Sequence, residues 1–204
     1  MVEDVRHTAR GQSVDRVLGF LEQAVAALDR DRAEEAIRHA EEAKRLASRS
    51  AAVREVLGLA LYRAERYREA LRELQAYRRM SGRDDQNHVI ADCHRALGSP
   101  QKAIPLVRDA LRARIPRGTK AEAVVVGGAA LADVGRFDEA LALLRSYRAD
   151  PEKAHPHDLR VWYVLGDVLE QAGRPRDAER EFRRIIRHDP DFFDTAERLV
   201  GLSG

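Results

Sequence analysis

An alanine recurs along this chain at Ala36, Ala70, Ala103, Ala140 and Ala178, a nearly even spacing. Each sits in a similar phrase: Asp31-Arg32-Ala33-Glu34-Glu35-Ala36-Ile37, Glu65-Arg66-Tyr67-Arg68-Glu69-Ala70-Leu71, Gly98-Ser99-Pro100-Gln101-Lys102-Ala103-Ile104, Gly135-Arg136-Phe137-Asp138-Glu139-Ala140-Leu141 and Gly173-Arg174-Pro175-Arg176-Asp177-Ala178-Glu179. A repeat of this length is one small supersecondary unit. It cannot bury its apolar face alone, so neighbouring copies must stack. The chain therefore reads as a quasi-linear array.

The copy around Ala178 is the clearest. Trp162, Leu165 and Leu169 are spaced three and then four along the chain, on one helix face. Gly166 beside them offers no Cβ, so a neighbouring helix can approach closely. Gly173 ends this helix, and Pro175 suits the first turn of the next, where its missing N–H costs nothing. Ala178, Phe182, Ile185 and Ile186 make the apolar stripe of the second helix. Asp189-Pro190 stops it, because a residue before proline is pushed out of helical geometry.

Trp162, Leu165-Gly166, Leu169, Ala178, Phe182 and Pro190 resemble the tetratricopeptide repeat (TPR) signature, W-x2-L-G-x2-Y…A-x3-F…P, with Leu169 in the tyrosine slot. The resemblance implies an all-α fold, a right-handed α-solenoid superhelix of TPR helix–turn–helix hairpins with a C-terminal capping helix. Residues 1–13 are expected to form a tail, frayed or added to the first helix. Five hairpins are expected at about 17–50, 51–83, 84–120, 121–158 and 159–190, within 14–190, and a capping helix at 191–204, where Phe192 and Phe193 should shield the fifth hairpin. The first hairpin is degenerate, with Phe20, Gln23, Ala24 and Ala27 in the signature slots. The second matches at Leu57-Gly58 and Leu61. The third is weakest, and Pro105 predicts that its second helix starts late, near Lys102, or kinks. Arg112–Lys120 and Ala149–Asp158 read as long loops. The fourth hairpin carries Gly127-Gly128 within a helical run.

Composition narrows the function. No run of 18 apolar residues is present, and the first residues have no apolar core of signal-peptide length, so a cytoplasmic location is expected. Cys93 stands alone, which excludes an internal disulfide, and it takes a slot filled by Ala26, Ala60 and Ala130 elsewhere. Net charge is −1 over residues 1–50, +6 over 51–117 and −3 over 118–204, which makes the middle a candidate electropositive surface. It lacks the aromatic and basic interleaving of a nucleic-acid binder.

No catalytic set has convincing spacing, so no enzymatic activity, no catalytic residue and no cofactor are expected. His88 and Asp92, four apart, with His94 nearby, fall short of the four ligands of a closed metal site, and His155-Pro156-His157-Asp158 reads as a polar turn. No metal is expected.

In the family that the signature resembles, the first helices line a concave groove. The slots carried over are Leu21, Val25 and Leu28 in the first hairpin and, further on, Val56, Leu59, Tyr62, Arg63, His88, Val89, Asp92, Arg95, Val125, Ala129, Tyr163 and Asp167. The lysines and asparagines that grip a C-terminal carboxylate in the best-known family groove are missing. An apolar floor of Val56, Leu59 and Val89, edged by Arg63 and Arg95, fits an amphipathic helix or apolar segment better. The expected function is a protein–protein interaction scaffold holding a partner's peptide or helix in the groove. The alternative is a homo-oligomeric structural protein that self-associates through the groove or capping helix, and the chain's own N-terminus is a third occupant of the groove.

Overall fold

The computed structural model describes residues 1–9, 13–150 and 152–202, and among these residues it is helical throughout, with no strand. The chain divides into two compact halves, Met1–Gly98 and Ser99–Gly204, so that the boundary falls inside the third hairpin. The N-terminal half holds α1 (Val2–Thr8), α2 (Val14–Asp29), α3 (Ala33–Leu46), α4 (Ala51–Arg63), α5 (Tyr67–Ser81) and α6 (Asn87–Ala96). The C-terminal half holds α7 (Pro100–Arg112), α8 (Arg117–Asp133), α9 (Phe137–Ser146), α10 (Pro156–Gln171), α11 (Pro175–Ile186) and α12 (Thr195–Leu202). Within each half, successive helices pack against their sequence neighbours and bury one continuous core.

One turn closes the hairpins. The residue ending each first helix is left-handed: Asp31 (φ 57°), Glu65 (57°), Gly98 (70°), Gly135 (75°) and Gly173 (71°). These positions keep a constant offset from the recurring alanines. In four hairpins the next residue reaches back across the turn, from Arg32 N to Ala27 O (2.9 Å), Arg66 N to Leu61 O (2.9 Å), Arg136 N to Leu131 O (2.9 Å) and Arg174 N to Leu169 O (2.8 Å). This is the Schellman pattern, which satisfies carbonyls that the helix end would orphan. The same four arginines then pair with an acid one turn on, Glu35, Glu69, Glu139 or Asp177, at the start of the second helix. Carboxylates there also complement the helix dipole.

A second device sets how closely the two helices of a hairpin approach. A Cβ built on Gly58 would lie 2.6 Å from Leu74, on Gly128 2.7 Å from Leu144, and on Gly166 2.5 Å from the Phe182 ring. Each partner follows its glycine at the same offset in the sequence. The bare backbone of the first helix is the socket for a large side chain of the second, and all three partners are buried. In the first hairpin the corresponding residues are Ala24 and Ala40, both fully buried, so a filled socket faces a shortened plug.

The structure corrects five expectations from sequence. Residues 2–8 neither fray nor extend the first helix. They form α1, whose Val5 is fully buried. The Asp4 carboxylate accepts from Ser50 Oγ (2.5 Å), Ala51 N (3.2 Å) and Ala52 N (3.1 Å), so it caps α4 from another part of the chain. Residues 10–12 of that tail lie outside the described residues. Of the two effects expected of Pro105, the late start of α7 is overturned. The helix begins at Pro100, where the missing donor is harmless, and runs through Pro105 to Arg112. The loop expected at 112–120 shrinks, because α8 begins at Arg117 and Arg117 Nη2 is tied to the Arg148 carbonyl (2.8 Å). The 149–158 loop ends early too. His155–Asp158 opens α10, with Asp158 Oδ2 accepting from His155 N (2.9 Å); Pro151 lies outside the described residues. The capping helix expected from 191 starts only at Thr195; ahead of it Phe192 is half-buried against the core of this half, and Phe193, although 65% exposed, lies against Tyr163 of the fifth hairpin. Residues 203 and 204 lie outside the described residues.

Between α3 and α5, Glu73 accepts from Lys44 Nζ (2.7 Å) and Arg54 Nη1 (2.6 Å). Burial alone would raise its carboxyl, but these two donors outweigh it and hold the group below the usual carboxylate range. A depressed folded pKa contributes stability that is present above the unfolded value, about 4.3, and lost as pH falls through the folded value. The melting temperature of wild type should therefore fall between pH 6 and pH 3. Glu73→Gln should melt lower at pH 7, with the gap closing at pH 3. The sockets give a second expectation. Gly166→Ala gains about 1 kcal/mol of helix propensity but overpacks Phe182 at a cost of about 1–3 kcal/mol. Denaturant unfolding should show Gly166→Ala destabilised and Gly166→Ala/Phe182→Leu partly restored. A Gly166→Ala variant more stable than wild type would rule out the socket.

Candidate binding surface

The first helices of the N-terminal half, α2, α4 and α6, lie side by side, α4 against both of the others. Their inward face is sealed: Leu21 is fully buried, and Val56 and Val89 are 5% and 6% exposed. The apolar floor expected from sequence therefore loses Val56 and Val89 to the core, because the close approach of the helices shuts them in. What stays accessible is Val25, 37% exposed, with half-buried Leu28, Leu59 and Tyr62.

The polar residues of this face pair one repeat apart. Tyr62 Oη donates to Asp92 Oδ2 (2.6 Å), and Arg95 Nη1 donates to Asp92 Oδ1 (2.9 Å). Burial first, and then the hydrogen bond to Asp92, hold the Tyr62 phenol far above its ordinary range. Gln86 Nε2 donates to Glu55 Oε1 (2.8 Å), and burial raises the Glu55 carboxyl despite that bond. His88 is half-buried, its imidazole pushed down chiefly by desolvation. Arg95 is thus committed to Asp92. Arg63 is different: its side chain is 59% exposed and its contact with the still more exposed Asp31 is long, 3.8 Å. Of the two arginines expected to edge the groove, Arg63 is the one presented to solvent. Cys93 behind this face is fully buried, and burial pushes its thiol up to about 12, which makes it a core residue without thiolate character.

In the C-terminal half, Val125 and Ala129 on α8 are half-buried, as are Tyr163 and Asp167 on α10. The last two are already engaged by the chain itself. Arg198 of α12 donates to Asp167 Oδ1 (2.9 Å), to the Tyr163 hydroxyl (3.3 Å) and to Glu170, and its guanidinium lies 4.7 Å over the Phe182 ring. Tyr163 Oη donates to Asp194 Oδ1 (2.5 Å), and Phe193 packs edge-on against the Tyr163 ring at 5.2 Å. The C-terminal segment covers these slots, where sequence had pointed to the N-terminus or a second copy. A signal was present. Tyr163 with Asp194, Asp167 with Arg198, and Glu55 with Gln86 all share one sequence separation, so α12 continues the repeat register. Among the described residues no three or more His, Cys, Asp or Glu side chains gather to hold a metal ion, and no helix is long and apolar enough to cross a membrane.

Comparison with known proteins places this geometry. The sequence model of the tetratricopeptide repeat family matches residues 131–200. No curated protein matches in sequence. Among solved structures, the chain is similar to TTC0263, described as a thermophilic TPR protein in Thermus thermophilus, at 18% identity and a TM-score of 0.72 over 92% of this chain and 98% of that one. It is similar to YrrB, described as a TPR protein with an unusual peptide-binding site, at 21% identity and 0.60 over 87% and 89%. It is also similar to MamA 41-end from Desulfovibrio magneticus RS-1, at 16% identity and 0.67 over 85% and 94%. These likenesses show the fold, an α-solenoid of tetratricopeptide hairpins.

The clamp on α12 is testable. Arg198→Ala leaves Asp167 and Glu170 without their shared donor, and each partly buried acceptor lost costs about 1–3 kcal/mol. Unfolding should show a loss in that range, with faster hydrogen exchange confined to α12. An unchanged unfolding curve would mean that α12 is held without Arg198.

Proposed function

We propose that the chain, which has the tetratricopeptide solenoid fold and matches the family model over residues 131–200, is a protein-binding scaffold whose working surface in the N-terminal half is the α2–α4 face. One observation carries the reading: most aliphatic side chains of these first helices are sealed in the core, yet Val25, Leu28, Leu59 and Tyr62 stay accessible beside the solvent-facing Arg63. An apolar strip with one loosely held cation fits a helix or extended segment that has an apolar face and acidic flanks. The strip supplies affinity, and Arg63 supplies orientation and on-rate. YrrB, similar in fold, is described as having a peptide-binding site, which lends the reading a precedent. Asp92 and Arg95 act on this account as a supporting network that fixes Tyr62, and His88 stands half-buried beside them on α6. Val125 and Ala129 form a lesser surface of the C-terminal half, where Tyr163 and Asp167 are occupied by α12.

A second reading has its own observation. Phe193 and Val200 in the C-terminal segment are 65% and 77% exposed, which favours self-association there. Light scattering at two concentrations separates the two. To test the first, a partner captured by the wild-type chain is titrated against Leu59→Glu and Arg63→Glu. Leu59→Glu should weaken binding at least tenfold while circular dichroism and melting stay as in wild type. Arg63→Glu should weaken it several-fold and flatten its salt dependence. Equal affinity for all three chains would move the binding surface elsewhere.

A further inference from the structure

We propose a second docking site, on the outer side of the C-terminal half between α7 and α9, that takes a short partner segment with an apolar anchor flanked by carboxylates. This goes beyond the α2–α4 face, which lies in the other half and uses first helices.

The gaps between successive second helices are not alike. Between α3 and α5 lies a cleft of about 570 Å³ whose wall carries paired charge, with Glu73 bridging Lys44 and Arg54. Between α9 and α11, the Arg184 guanidinium lies 3.5 Å over the Trp162 ring and leans on Glu181. Between α7 and α9 the gap is lined mostly by aliphatic side chains. It is a cleft of about 350 Å³ whose floor and walls include Ile104, Val107, Leu111, Leu131 and Leu143.

Gly127 makes the cleft possible. A Cβ there would come within 2.6 Å of Val107 and 2.8 Å of Leu143, so only a bare α8 backbone lets both side chains settle as the floor. Val107 and Leu131 are closed into that floor, while Ile104, Leu111 and Leu143 keep accessible surface.

The rim decides what enters. Arg136 is spent on Glu139, with two bonds of 2.6 Å. Arg108 and Arg112, one helical turn apart on α7, are both exposed, and among the described residues neither has a carboxylate within ion-pair distance. Arg108 acts on Glu139 only through space, as a weaker influence than Arg136. An apolar slot beside two guanidinium groups with no ion-pair partner is complementary to a large aliphatic or aromatic side chain with Asp or Glu a turn away. Arginine forks pair carboxylates bidentately, which adds orientation to the attraction. The volume lies at the low end of ligand sites, matching one or two side chains.

The probe is a fluorescein-labelled peptide with a central phenylalanine–leucine pair and three acidic residues on each side. Two controls replace either the central pair by alanines or the acidic residues by lysines. Titrated by anisotropy at 0.05 M salt, the full-length wild-type chain should bind the probe at least tenfold more tightly than either control. Arg108→Glu/Arg112→Glu changes only exposed side chains and should weaken binding tenfold or more. Ile104→Glu should do the same from the apolar side, with melting checked for both. Leu59→Glu should leave this binding unchanged, so failure here and failure of the α2–α4 site remain distinguishable. Equal binding of the alanine control, full affinity in both cleft variants, no binding by wild type, or a dimer that closes the cleft in light scattering would each overturn the proposal.

Discussion

The seating of a large side chain on a bare helix backbone is what the rest of the structure depends on. Gly58 receives Leu74, Gly128 receives Leu144 and Gly166 receives Phe182. Because the offset within each pair is constant, the turn between them has a fixed length, and the left-handed residue must fall at a fixed place within it. Where that residue is Gly135 or Gly173 the conformation costs little. At Asp31 and Glu65 a side chain is forced into the same geometry, which is unfavourable by roughly 1–2 kcal/mol. Both sites keep the Schellman bonds of their glycine counterparts, which offset that cost, and at Glu65 the Gly58–Leu74 socket adds to them.

This explains why the fold was legible. Ala178 with Phe182, and Gly166 with Leu169, are close in sequence, so their spacing reports directly on helix faces. The hairpin ends were less legible, because their causes are distant. Residues 2–8 are polar and short, and only the α4 N-terminus, presenting Ser50, Ala51 and Ala52 to Asp4, gives them a place. Arg117 and Asp158 extend α8 and α10 backwards through a buried carboxylate that Tyr147 Oη also reaches (2.7 Å), contacts that no local pattern reports. Local composition at Pro116 and Pro156 reads as loop, whereas in the structure each proline stands at a helix start.

The candidate surface was legible only as a set of slots. Register said which residues face the same way as Leu59, and it placed Val56 and Val89 among them. Whether a slot is open depends on how tightly the helices approach, which the signature does not encode. The same holds for charge. Arg63 and Arg95 are alike in sequence, and only the structure separates Arg95, held by Asp92, from the exposed Arg63. Tyr163 and Asp167 show the reverse case, because Arg198 and Asp194 sit one repeat later in a segment read simply as a cap.

The scaffold account stands on the accessible strip of α2 and α4 being where a partner lands. Amide hydrogen exchange of the full chain, alone and saturated with a captured partner, tests this most directly. The account predicts slowed exchange across residues 25–28 and 59–63, with α5 unchanged. Protection absent from those two segments while the partner is bound would contradict it.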